Sequence, residues 1–120
     1  LWMKSGSHVL GIHGWDLGKQ ITAAIAHLET SEGVVLVSDQ TWRYDPNPEN
    51  DGESRLGWCS PDFDDSTWSL VKDIGPIGDS ANPWGNSPTV FPDDSPAHWI
   101  WDHFPVDLNT QYLRGAFVLP

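Results

Sequence analysis

Within residues 61–68 the chain reads P-D-F-D-D-S-T-W, placing two large aromatics around three carboxylates and a hydroxyl pair. A segment of that make-up ties a loop down onto an apolar core. Phe63 and Trp68 supply ring area to bury, while the Asp and Ser side chains satisfy the backbone of the turn between them. The core it needs is supplied by aromatics elsewhere. The chain of 120 residues holds eight Trp, among them Trp42, Trp58, Trp84, Trp99 and Trp101. Each ring brings a large buried area with few rotatable bonds, so a few can hold a sheet-rich core together. Most of the eight are expected inside.

A chain this long is one domain's worth and can bury a real core. Seventeen Asp and Glu oppose six Lys and Arg, for a formal charge of −11. That balance excludes nucleic acid as a partner, because phosphate binding needs clustered basic side chains. It argues against an anionic membrane surface for the same reason. No apolar run approaches the roughly 18 residues of a membrane span. Neutral ligands, cationic ligands and cations remain. Cys59 is the single cysteine, so no disulfide forms within the chain, and between Trp58 and Ser60 it reads as a small packing residue. The chain starts Leu1-Trp2 with neither an initiator Met nor a signal peptide, which reads as a processed chain or a segment of a longer protein.

Short strands separated by Gly and Pro turns run through the sequence. Residues 8–15, H-V-L-G-I-H-G-W, form a strand in which glycine permits a close approach. Residues 20–29 fit an amphipathic helix through Ile21, Ala24, Ile25 and Leu28, and fit a strand through Ile21, Ala23 and Ile25. The strand is favoured because everything around it reads as β. Residues 34–37 and 41–44 are further strands, the second with Trp42 and Tyr44 on one face. Residues 45–57 form a loop, 68–74 a short edge strand and 75–96 a long irregular stretch. Residues 97–102 and 112–119 are the last strands, with Trp99 and Trp101 sharing a face. The pattern indicates an all-β fold, an antiparallel β-sandwich or jelly roll.

Trp42, Trp58, the run F-D-D-S-T-W at 63–68, P-W at 83–84, W-I-W at 99–101 and Y-L-R-G-A-F-V-L-P at 112–120 together resemble the opening half of galactose-binding-domain-like jelly rolls. These are the sugar-binding modules appended to β-galactosidases, β-glucuronidases and α-L-rhamnosidases. Phe63, Asp64, Asp65, Ser66 and Trp68 match one motif of that family. Tyr112, Arg114, Phe117, Leu119 and Pro120 match another. The run at 6–14, G-S-H-V-L-G-I-H-G, is similar to a strand near the end of such a module. The resemblance thus divides the chain into terminal strands of a module at 1–32 and opening strands at 33–120, or joins both in one compact unit. It lacks the middle strands. The resemblance therefore implies a sandwich completed by a different pairing, by neighbouring copies or by adjacent modules. It implies a structural core of Trp42, Phe63, Trp68, Trp99, Trp101, Tyr112, Arg114 and Phe117.

Three kinds of chemistry are conceivable. Asp62, Asp64 and Asp65 offer hard oxygen ligands at close spacing, which suits Ca²⁺, while the same side chains suit turn capping better. The five histidines form no H-x-H or H-E-x-x-H set, and no G-x-S-x-G elbow is present. The resemblance implies a module without catalysis, at most an accessory domain of a glycoside hydrolase. Trp84 in N-P-W-G-N, flanked by Asn82 and Asn86, is a candidate sugar platform: an indole stacks on a pyranose and the amides bond its hydroxyls. It equally suits plugging the sandwich edge. The reading is a non-catalytic, extracellular or cell-surface β-sandwich module of a larger surface or secreted protein. Its expected partner is a glycan. The alternative is a structural subunit whose open edges pair with copies of itself or adjacent modules in an array or filament.

Overall fold

A computed structural model describes residues 3–15, 22–47, 57–79, 84, 91–92, 94–102 and 110–120. The molecule is mostly β, and every strand pairing is antiparallel. The strands are β1 (Gly6–Gly14), β2 (His27–Thr30), β3 (Gly33–Val37), β4 (Arg43–Asp45), β5 (Ser69–Leu70), β6 (Lys72–Pro76), β7 (His98–Trp101) and β8 (Gln111–Leu119). A single 3₁₀ turn, Gly57–Cys59, is seen among the described residues. The strands form a four-stranded sheet in the order β1-β8-β4-β5 and two two-stranded sheets, β2-β3 and β6-β7. These sheets do not close on one another.

The longest ladder joins the two most distant strands. β1 and β8 run against each other from Gly6↔Leu119 to Gly14↔Gln111, nine residues on each strand. Strands from segments 1–32 and 33–120 therefore share sheets, β1 with β8 and β2 with β3.

Alternation along this ladder gives the sheet two unlike faces. Leu10, Ile12, Leu113 and Tyr44 turn inward to a core of Trp42, Ile100, Trp101, Val71 and Ala26. Gly115 lies on this face because the Trp42 indole occupies the space that a β-carbon would take. Trp42 is 1% exposed, and its Nε1–H donates to the Val37 carbonyl at 2.9 Å. The opposite face carries His13, Gly11, Tyr112, Arg114 and Arg43, and is covered in part by the segment that follows the 3₁₀ turn.

Three local readings change. Residues 22–26 are not the body of one strand with β2. Ala24 forms an isolated bridge to Ile100 of β7, and the Ser38 hydroxyl takes the Ala26 N–H at 2.9 Å, before β2 begins at His27. The chain changes partner there, and small Ala residues let it pass close to β7. Residues 68–74 split into β5 and β6 in different sheets. The break falls at buried Val71, whose N–H donates to the Trp42 carbonyl at 3.0 Å. Trp42 itself precedes β4 and does not lie within it. The expected turn at 16–18, most of the loop at 45–57 and half of the stretch at 75–96 lie outside the described residues.

Candidate functional site

The segment 57–68 is riveted to β8 by one side chain. Arg114, 4% exposed, donates from Nε to the Trp58 carbonyl and from Nη2 to the Ser60 carbonyl, each at 2.7 Å, and from Nη1 to Asp65. Its guanidinium also lies 5.2 Å from the centre of the Phe63 ring. Asp65 faces a second arginine: Arg43 Nε is 3.9 Å away, and Arg43 donates from Nη1 to the Trp68 carbonyl at 2.8 Å. A planar fork can bind several oxygens at fixed angles, which a lysine cannot do.

The other acidic residues of this segment have local tasks. Asp64 Oδ1 accepts the Ser66 N–H at 3.0 Å, and bonds from Ser66 hold its carboxyl below the ordinary value of 3.8. Asp62 is exposed, and its N–H donates to the Ser60 hydroxyl at 3.2 Å. Among the described residues no three His, Cys, Asp or Glu side chains converge as a metal ligand set. Cys59 is exposed and is not the packing residue the sequence suggests; its Sγ nonetheless lies against Gly11, and partial burial of the thiol pushes it up, opposed by the Arg114 charge.

Of the other residues read as core, Trp68, Trp99, Trp101 and Phe117 are buried, while Phe63 and Tyr112 are half-buried. Trp84 stacks on Trp99 at 4.9 Å between ring centres, which commits one of its faces to packing. Asn82 and Asn86 lie outside the described residues.

A different aromatic group is open to solvent. On the outer face, contacts run from the covered interior to the sheet end. Phe63 meets Trp68, Trp68 meets Trp58, and the Trp58 ring meets Tyr112 edge-on at 5.3 Å. Tyr112 then stacks flat on His13, with centres 4.1 Å apart and planes 8° off parallel. His13 contacts Trp15 at 5.3 Å, and Trp15 is 58% exposed. The ladder register sets Tyr112 opposite both His13 on β1 and Asp45 on β4. One row across three strands therefore reads imidazole, phenol, carboxylate, with an indole at its open end.

This row is supported from below. Gly11, beside it on β1, gives room to the Trp58 ring, whose nearest carbon would lie 2.6 Å from an added β-carbon. A packed ladder of rings fixes the orientation of Tyr112 and His13, which lowers the ordering cost of binding. The signal in the sequence was the pair His13 and Trp15, two apart at the end of a strand and so on one face. Asp45 carried no comparable local signal.

Compared with models of protein families, with curated proteins and with solved structures, the chain matches none.

Proposed function

We propose that the chain is a non-catalytic, jelly-roll-type sandwich module of a larger surface or secreted protein, akin to galactose-binding-domain-like modules, and that it binds carbohydrate on the row formed by Trp15, His13, Tyr112 and Asp45. The observation that carries this is the exposed Trp15 beside a stacked His13–Tyr112 pair. An indole face takes the apolar face of a pyranose, and the phenol and carboxylate bond its hydroxyls. The Arg114 rivet supports the resemblance, since it joins the two matching motifs in space. A glycan array tests the proposal. Binding should be lost in Trp15→Ala and kept in Trp84→Phe, which retains a ring to stack on Trp99. Absence of glycan binding, or binding untouched by Trp15→Ala, overturns it.

One observation favours a second role as an assembling subunit. β1 ends the sheet order, and its nine residues carry no Pro, Lys, Arg, Asp or Glu. Sheet edges are ordinarily protected by such residues. Concentration-dependent association in sedimentation, abolished by Ser7→Lys at an exposed position of β1, supports pairing between copies. A monomer at all concentrations removes this role.

A further inference from the structure

We infer that Ser95 is an activated hydroxyl that accepts an acyl group from an aryl ester or thioester, with His27 as its general base and Glu29 positioning that base; this goes beyond carbohydrate binding and does not depend on it. The three side chains form one relay. Ser95 Oγ lies 2.7 Å from His27 Nδ1, and His27 Nε2 lies 3.2 Å from Glu29 Oε2. The hydrogens follow from the partners. An ionised carboxylate only accepts, so the imidazole proton sits on Nε2 and Nδ1 is bare. The Ala97 N–H donates to Ser95 Oγ at 3.3 Å, which leaves the hydroxyl proton to donate to Nδ1. A serine that donates to a bare imidazole nitrogen, with the other nitrogen held by a carboxylate, is an activated nucleophile; geometry defines it, not sequence order. His27 and Glu29 stand two apart on β2, and Ser95 reaches them from the segment before β7.

The surroundings point to the acyl class. A cavity of about 640 Å³ borders the imidazole, walled by Leu28, Phe91 and Pro92 together with His27 and Glu29. Phe91 stands edge-on to the His27 ring at 6.0 Å, and the His27 side chain is only 6% exposed. Apolar walls suit an acyl chain, whereas the Glu29 carboxylate repels anionic phosphoryl and sulfuryl donors. Ser95 Oγ bonds to the acyl carbon as its proton passes to Nδ1. The bond from that carbon to the leaving oxygen or sulfur then breaks, and the phenol or thiol departs with the proton. The Ser95 N–H donates to the Pro92 carbonyl at 3.1 Å and so does not serve an oxyanion. An activated ester reacts without that help, but the alkyl ester left on serine resists water. The chain is thus an acceptor of one acyl group and does not turn over.

The test uses p-nitrophenyl butyrate. Folded protein should release p-nitrophenol once, in an amount equal to the protein, and peptide mapping by mass spectrometry should place a butyryl group on Ser95. The urea-unfolded chain should not label there, a comparison that needs no variant. Ser95→Ala should abolish the adduct. His27→Gln keeps a hydrogen-bonding amide but takes no proton, and should slow the reaction about 100-fold or more. Glu29→Gln should lower the maximal rate about tenfold with the half-saturating ester concentration unchanged, a split that a damaged cavity would not give. Butyrylation of Cys59 or a lysine in place of Ser95, equal labelling of Ser95 in urea, or an unaltered rate in His27→Gln overturns the activated serine. An unaltered rate in Glu29→Gln overturns the positioning role. Repeated release of p-nitrophenol overturns the acceptor in favour of a hydrolase.

Discussion

Arg43 and Arg114 are direct partners across β4 and β8, and the Asp65 carboxylate sits against both. Like charges directly opposite on a sheet repel, so this pairing is tolerable only with a counter-charge between them. The shared carboxylate also explains why the acidic turn and the closing strand, far apart in sequence, behave as one unit.

Asp65→Ala removes that counter-charge and leaves the nearly buried Arg114 without its partner. Breaking a buried ion pair from one side costs about 3–5 kcal/mol, and the partial exposure of Asp65 puts this case at about 3. Urea denaturation should show the loss. The double variant Asp65→Ala/Arg43→Ala should be less destabilised than the sum of its parts, because it also removes the repulsion.

Gly115→Ala forces a methyl group into the Trp42 indole. Overpacking of this kind costs about 1–3 kcal/mol. Pairing it with Trp42→Leu should recover part of the loss, measured as a non-additive change in the denaturation midpoint. Full additivity would show that the two side chains do not compete for the same space.

Two tryptophans separate ring burial from hydrogen bonding. Trp42 donates from its indole to Val37, while the buried Trp68 Nε1 has no partner among the described residues. Both substitutions to Phe remove similar ring area, but only Trp42→Phe also removes a hydrogen bond. It should therefore be the more destabilising by about 1 kcal/mol. Thermal or denaturant unfolding of the two single variants decides the order.

The Asp64 carboxyl is held below its ordinary 3.8 by bonds from Ser66. A depressed folded-state value gives stability that is present above pH 3.8 and lost as pH falls through the lower, folded value. A carboxyl NMR titration should place the Asp64 midpoint below 3.8. Ser66→Ala should move it back toward 3.8, because the side-chain bond is the larger cause.

Cys59 should react sluggishly with alkylating agents. Its thiol is raised above the ordinary value by burial, with the Arg114 charge opposing that shift only in part. The thiolate is the reactive form, so iodoacetamide labelling of the folded protein at neutral pH should be slower than labelling in urea. Equal rates would show that folding does not raise the thiol of this exposed cysteine.

Much of the strand framework was legible because alternation is local. β1, β7 and β8 fall where alternation of apolar residues is at least partial, and β3 is a short continuous apolar run. Their partners were not legible, because register between distant strands depends on burial that no short window contains. That is why residues 20–29 read as one strand, although Ala24 bridges to β7 and β2 pairs with β3. The joining of the Asp-rich turn to Arg114 was not legible; the resemblance matched the two motifs separately, and only the structure brings them together. Which aromatics face water was hidden for a related reason. Trp84 and Trp15 are equally aromatic, and only packing shows that one stacks on Trp99 while the other faces water.

The zipper between β1 and β8 has a consequence for biosynthesis. Gly6 waits for Leu119, so a ribosome must release almost the whole described length before the first strand meets its mate. Until then nine uncharged residues lack their sheet neighbour, and pairing of this kind is slow and exposed to aggregation.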